Sequence, residues 1–308
     1  MSENNSATVT SGANNTKKNK SAFGVLAAIL GGTFWGFSGC FGQYLFTYKD
    51  VTSSWLVPIR LFVSGLLILL LLSVQKKNIF VVYEDKKNIF KMFIFALFGM
   101  ALSQYGYFTA VQYSNAGTGT ILQYTGQIML LVYVCVITPR LPKKNETLAL
   151  ILSVIGVFIM ATHGRIGELA LRPEAIFWGV FAAIGFVCYS VQPADMIKQY
   201  TVLPVLGWGM FVGGIMLCAA MRPWTMGVVL DYQVLLLFTG IVVLGTIMAY
   251  YLILSAISII GPVKTSLIAC VEPVVAMVVA AVWLKTSFTP MDLVGAVLVL
   301  AAVLVITR

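Results

Sequence analysis

The sequence predicts an all-α integral membrane protein with ten transmembrane helices in two inverted five-helix repeats. Three observations lead there. Hydrophobic residues make up 59% of the 308-residue chain and charged residues 10%, against roughly 25% charged in a typical soluble domain. Mean hydropathy is +0.93, and so little polar surface cannot cover a water-soluble globule. The apolar residues also fall into runs near the length of about 17–25 residues that a spanning helix requires. Finally, the second half of the chain matches the first at an offset of 146 residues.

Residues 1–21 are polar and end in a basic cluster. That composition cannot bury enough apolar surface to fold, so a disordered cytoplasmic tail is expected there. A cleaved signal peptide would share the basic start. The apolar run that follows, however, is long, aromatic-rich and lacks a clear small-residue cleavage site, which favours a retained first helix. Spans are expected at 22–46, 54–74, 92–111, 116–137, 147–162, 174–193, 202–221, 233–254, 262–284 and 291–307. Residues 22–162 then form the first repeat, 163–173 a linker and 174–308 the second repeat. The connections leave no room for a separate soluble domain. Cys40, Cys135, Cys188, Cys218 and Cys270 all lie within apolar runs, where they read as small buried side chains rather than a disulfide framework.

The net charge of +9 does not call for a nucleic-acid partner, because the basic residues are scattered in short segments between spans instead of clustering on one face. In that position they set membrane orientation. Thirteen lie on the side of the N-terminus (Lys17, Lys18, Lys20, Lys76, Lys77, Lys86, Lys87, Lys91, Arg140, Lys143, Lys144, Lys198, Arg308). Five lie opposite (Lys49, Arg165, Arg172, Arg222, Lys285). Both termini are therefore expected in the cytoplasm.

At the offset of 146, Gly99 falls on Gly245, Tyr105 on Tyr251, Ala110 on Ala256, Val132 on Val278, Val136 on Val282, Leu152 on Leu298 and Val157 on Val303. The loop acids Glu146 and Asp292 also coincide. The register holds without a gap across three spans, and the closing span of each half is short. Five spans is an odd number, so the second copy must enter the membrane in the opposite sense. Inverted repeats that enclose a midplane site are a recurring plan of secondary transporters.

Trp35-Gly36 in the first span, the WLVPIRLFVSG run with Pro58 and Arg60 in the second, and Gly261 to Trp283 with its Glu272-Pro273 pair carry a resemblance. So does the short closing helix DLVGAVLVLAAVLV. With these features the chain resembles the EamA-type branch of the drug/metabolite transporter superfamily over nearly its whole length after residue 22. The resemblance implies ten helices in two inverted repeats and export of amino acids or related metabolites. Two departures stand out. Gln127 occupies the position where the first repeat of the family usually has a proline, and Lys285 stands where many relatives carry an acid.

Ionisable residues inside spans are costly and are functional candidates by default. Glu272 lies mid-span before Pro273, whose missing N–H disturbs the preceding turn. Its carboxylate could bind a substrate ammonium, titrate with a coupling proton, or serve as a structural acid. Arg60 and Lys264 lie within two turns of span ends and can snorkel; Arg60 could instead attract a substrate carboxylate or pair with an acid. Thr120, Gln123, Tyr124 and Gln127 share one helical face, which lipid would not tolerate. They are expected to line a cavity opposite Ser266, although such groups can also bond helices together. Trp35, Gln104, Tyr107, Tyr189, Gln192 and Tyr250 are further cavity candidates, with interface belts or packing as the competing reading. His163 reads as a solvated loop residue.

One histidine cannot build a His-Glu-x-x-His metal site, and no phosphate-binding loop appears. An enzyme or ATP-driven pump is not expected, nor any cofactor or metal. The expectation is a secondary active, alternating-access transporter that exports a small organic metabolite, an amino acid or related compound. Its place is the inner or plasma membrane of a prokaryotic cell. The partners are the solute, the lipid bilayer and a candidate coupling proton. A multi-helix channel or a non-transporting membrane scaffold is the alternative.

Overall fold

The structure is a computed structural model. It describes residues 4–113, 116–162, 172–283, 285 and 289–307, with the backbone alone at 4–19, 116–118, 121 and 161. His163, Arg165 and most of the expected linker 163–173 lie outside the described residues.

Every regular element among the described residues is helical: α1 (Asn4–Tyr48), α2 (Ser53–Val74), α3 (Lys86–Ile94), α4 (Ser103–Tyr113), α5 (Ala116–Ile137), α6 (Lys144–Thr162), α7 (Pro173–Val191), α8 (Ala194–Tyr200), α9 (Val202–Met221), α10 (Tyr232–Gly240), α11 (Ala249–Ile260), α12 (Pro262–Ala269), α13 (Val271–Trp283) and α14 (Pro290–Thr307). Continuous stretches merge some of these. Among the described residues, eight helices are long and apolar enough to cross a membrane: Lys20–Tyr48, Ser53–Val74, Lys86–Tyr113, Pro173–Tyr200, Val202–Met221, Tyr232–Ile260, Pro262–Trp283 and Pro290–Thr307. Leu122–Ile137 is a shorter apolar helix. The protein is thus an all-helical, multi-pass membrane protein.

The backbone of α1 is helical from Asn4, within the stretch where composition predicts disorder. Extending an existing helix costs far less than nucleating one, and the apolar part from Lys20 supplies the nucleus. Two spans are not purely α-helical. Phe95–Leu102 joins α3 to α4 as a π-helix, and Ile241–Met248 joins α10 to α11 in the same way. These segments begin 146 positions apart. The wider π turn frees the Ile241 carbonyl to accept from Thr246 Oγ1, 2.8 Å away and five residues on.

The helix starts follow the same spacing. Asp85 caps α3 through the Lys87 N–H, and Asp231 caps α10 through the Val234 N–H. Glu146 accepts from the Lys143 N–H at 2.9 Å, while Asp292 accepts from the Thr289 N–H at 2.6 Å. Arg140 adds two bonds to Glu146, at 2.7 and 3.0 Å.

Packing pairs elements across the two halves of the chain. Helix α2 lies on α9 and α6 on α14; α1 packs against α11 and α13, and α7 against α4 and α5. The first pair crosses at backbone contact. A Cβ at Gly65 would fall on the backbone of Phe211, and one at Gly214 on the backbone of Phe62.

Contacts join the halves at both ends of the bundle. Lys49, just after α1, forms an ion pair with Asp231 at 2.5 Å. The Lys49 ammonium and the Val234 N–H hold the Asp231 carboxyl below the usual carboxylate range, so the pair persists at neutral pH and is lost in acid as pH falls through that lowered value. At the other end of α2, roughly 33 Å away by its length, Asn88 Nδ2 donates to the Tyr200 hydroxyl at 3.0 Å. Nearby, Trp208 Nε1 donates to the Ile79 carbonyl at 2.7 Å.

Gly65→Ala and Gly214→Ala should each destabilise the protein by about 1–3 kcal/mol, the usual cost of overpacking. The thermal unfolding midpoint of detergent-purified protein measures this. Gly227→Ala, whose Cβ would meet nothing within 4 Å, should leave the midpoint unchanged.

Candidate functional site

The inward faces of the helices line a partly open cavity of about 50 Å³, enough for a few water molecules. Helix α1 contributes Trp35, Ser38 and Gly39; α2 contributes Arg60; α4 contributes Gln104, Tyr107 and Phe108; α5 contributes Gln123, Tyr124 and Gln127. From the second half come Phe186 and Tyr189 of α7, Gly245 of the π segment, Tyr250 of α11, Ser266 and Ala269 of α12, and Glu272 of α13.

The backbone at the Glu272 side follows from Pro273. Lacking an N–H, Pro273 cannot bond the carbonyl four residues back and its ring crowds that carbonyl. The helix accordingly breaks at Cys270, between α12 and α13. The carbonyls around the break face α1, where side chains are missing: a Cβ at Gly32 would sit 2.7 Å from the Ala269 oxygen, and one at Gly36 2.7 Å from the Glu272 oxygen. Glycines thus let α1 close over the broken helix.

A hydrogen-bonded chain crosses the cavity. Arg60 Nη2 donates to Gln104 Oε1, and Gln104 Nε2 donates to the Tyr250 hydroxyl. Gln104 and Tyr250 stand 146 positions apart, so each occupies the other's place in the internal match. Arg60 is only 2% exposed, which removes snorkelling as its role, and its guanidinium lies 4.7 Å from the Phe108 ring centroid. Lys264, by contrast, is exposed. Among the described residues no ion pair forms to Arg60 or to Glu272.

Trp35, Tyr189 and Tyr250 make one wall in mutual edge-to-face contact. Their centroids are 5.2 Å (Trp35–Tyr250), 5.7 Å (Tyr189–Tyr250) and 6.3 Å (Trp35–Tyr189) apart, a geometry favoured by aromatic quadrupoles. Elsewhere on the lining Gln127 Nε2 donates to Cys270 Sγ at 2.9 Å and the Ser266 carbonyl at 3.4 Å. The polar face of α5 therefore meets the smaller residues of α12.

Three of the expected residues lie apart from this lining. Thr120 is one turn from Gln123, with its Oγ1 3.4 Å from the Tyr107 hydroxyl. Pro273 shapes the backbone without lining the cavity. Gln192 stands at the end of α7, where Nε2 donates to the Lys91 carbonyl at 2.6 Å; it joins the two halves at the end of the bundle. Sequence reasoning missed Ser38, Gly39, Phe108, Phe186 and Gly245. For Ser38, Gly39 and Phe186, helical spacing from Trp35 and Tyr189 was the available signal.

Comparison with known proteins agrees with this architecture. A solved protein crystal structure matches over 94% of this chain and 96% of its own, with a TM-score of 0.73 and 11% identity; that is a likeness of fold alone. A Salmonella typhimurium (strain LT2) protein named as an uncharacterized inner membrane transporter, YicL, is 29% identical over 284 residues, covering 92% of this chain and 95% of the relative. The model of the EamA-like transporter family matches residues 22–162 and 173–308. The chain belongs to the EamA-like transporter family.

Proposed function

We propose that this membrane transporter is a secondary carrier that moves a small organic metabolite, an amino acid or a related compound, outward by alternating access. The observation that carries the reading is the cavity: polar and aromatic side chains from both halves of the chain converge on a shared space. Contacts join the halves at both ends. In this reading the solute enters and leaves as the halves part at one of those ends.

In this reading the chain has ten spans in two inverted five-helix repeats, 22–162 and 174–308, with both termini cytoplasmic. Paired features support it. The π segments share the offset of the internal match. Gly65 against Phe211 mirrors Gly214 against Phe62, and the packing of α1 on α11 and α13 mirrors that of α7 on α4 and α5. The inner membrane is the proposed location, supported by the name of the Salmonella relative. Glu272 is the proposed coupling group, since it is the carboxylate lining the cavity.

In proteoliposomes loaded with unlabelled solute, labelled amino acids of one class should show saturable counterflow. A conductance that does not saturate would favour a channel. Complete absence of counterflow across amino acids, amines and small sugars would contradict the carrier reading. Glu272→Gln should abolish proton-gradient-driven uptake while sparing exchange, and an unchanged pH dependence in that variant would remove Glu272 from coupling.

A further inference from the structure

We propose that Arg60 and Tyr250 form a carboxylate-binding pole of the cavity, whose lining also carries acceptors at Glu272 and Gln127, so that recognised solutes must carry a carboxylate. The inference rests on the reading of the cavity as a solute site, and it adds which chemical group the site selects and which residues select it.

Donor bookkeeping carries the argument. A guanidinium has five N–H donors and no acceptor. Arg60 is 2% exposed, and its Nε has no hydrogen-bond partner within the protein among the described residues. Its contacts there are neutral: the Gln104 amide oxygen and the Phe108 ring. A buried, unneutralised cation is expensive, and membrane proteins keep one where a partner ion can meet it.

The direction of the hydrogen-bonded chain adds a second donor. Gln104 turns its oxygen to Arg60, so its NH₂ faces Tyr250 and donates to that hydroxyl oxygen. The Tyr250 O–H is thereby left to donate elsewhere. The chain ends in a proton aimed away from Gln104, and Arg60 and Tyr250 both line the cavity.

A charged donor and a neutral one, both unused, suit a planar monoanion. The guanidinium fork matches a carboxylate bidentately. A phosphate dianion would exceed the single positive charge present, with the Glu272 carboxylate on the same cavity. The same lining also carries acceptors. Gln127 is 4% exposed, its Nε2 is engaged, and its Oε1 has no partner among the described residues. Glu272 lines the same cavity, so an ammonium or other N–H group on the solute would be taken by these acceptors.

The test compares acids with their carboxamides, which keep size and lose the charge. Purified wild-type protein, Arg60→Gln and Tyr250→Phe are titrated with L-leucine, L-phenylalanine, L-threonine, L-lactate and the carboxamide of each, reading the thermal unfolding midpoint. At least one acid should stabilise the wild type while its amide acts only at about 10- to 100-fold higher concentration, the span expected for losing a hydrogen bond to a charged group. Arg60→Gln should weaken the response to the acid by a similar factor and erase the preference over the amide. Arg60→Gln removes a buried charge and keeps a polar head; should it fail to fold, Tyr250→Phe, which retains the ring, carries the test through a weakened acid response.

Amides as potent as acids, an acid response unchanged in both variants, or no response of the wild type to any acid would each overturn the proposal. The transport reading is decided separately by counterflow. Loss of counterflow with the acid preference intact would remove the carrier and leave the pole, whereas counterflow without that preference would do the reverse.

Discussion

Hydrocarbon offers no hydrogen-bond partner, and that single constraint organises this chain. Every buried backbone group must be satisfied within a helix or inside the protein, and every polar side chain mid-span must find an inward place. The chain has few such side chains, and most of them face one another. Arg60, Gln104, Tyr250, Gln127 and Glu272 come from five different helical segments yet line a single cavity. Lipid-facing positions carry Leu, Ile, Val and Phe, as at Leu70, Val132, Val180 and Leu304, all exposed. The cavity is where the chain's polarity has been collected.

Backbone irregularity follows the same geography. Breaks in the regular helical ladder are tolerated in a membrane only where protein or a cavity supplies the missing partners. The break at Cys270 and the π segment at Ile241–Met248 both contribute to the cavity lining, through Ala269, Glu272 and Gly245. Gly32 and Gly36 then allow α1 to close over the carbonyls at the break. Pro273, the glycines of α1 and the polar lining are thus parts of one local solution: a helix that is interrupted must be covered by a neighbour without side chains.

Much of this was legible in the sequence, for physical reasons. Span positions follow from length and hydropathy: eight of the expected spans coincide, within about seven residues at their ends, with helices long and apolar enough to cross, whereas those expected at 116–137 and 147–162 are helical but not among these eight. The polar face of α5 was visible because 3.6 residues per turn aligns Gln123, Tyr124 and Gln127. Other features had no local signature. No residue type specifies a π-helix, so Phe95–Leu102 and Ile241–Met248 read as ordinary helix. Arg60 lies two turns from a helix end, and whether such a residue snorkels or turns inward is decided by its neighbours, here Gln104 and Phe108. Gln192 precedes Pro193, where the helix turns, and that bend carries its side chain to the Lys91 carbonyl instead of the cavity.

The central claim is that the two halves move against each other around the cavity, so that closing one end opens the other. Its most direct measurement is a pair of spin-label distances in lipid nanodiscs. One pair of labels replaces the exposed Tyr48 and Tyr232, beside the Lys49–Asp231 ion pair; the other replaces Phe90 and Lys198 at the opposite end. Asp231→Asn removes the ion pair while preserving a residue that caps helices well. The account predicts that this substitution lengthens the distance at the first pair and shortens the distance at the second. Lengthening at both ends together, or no change at the first, would contradict it.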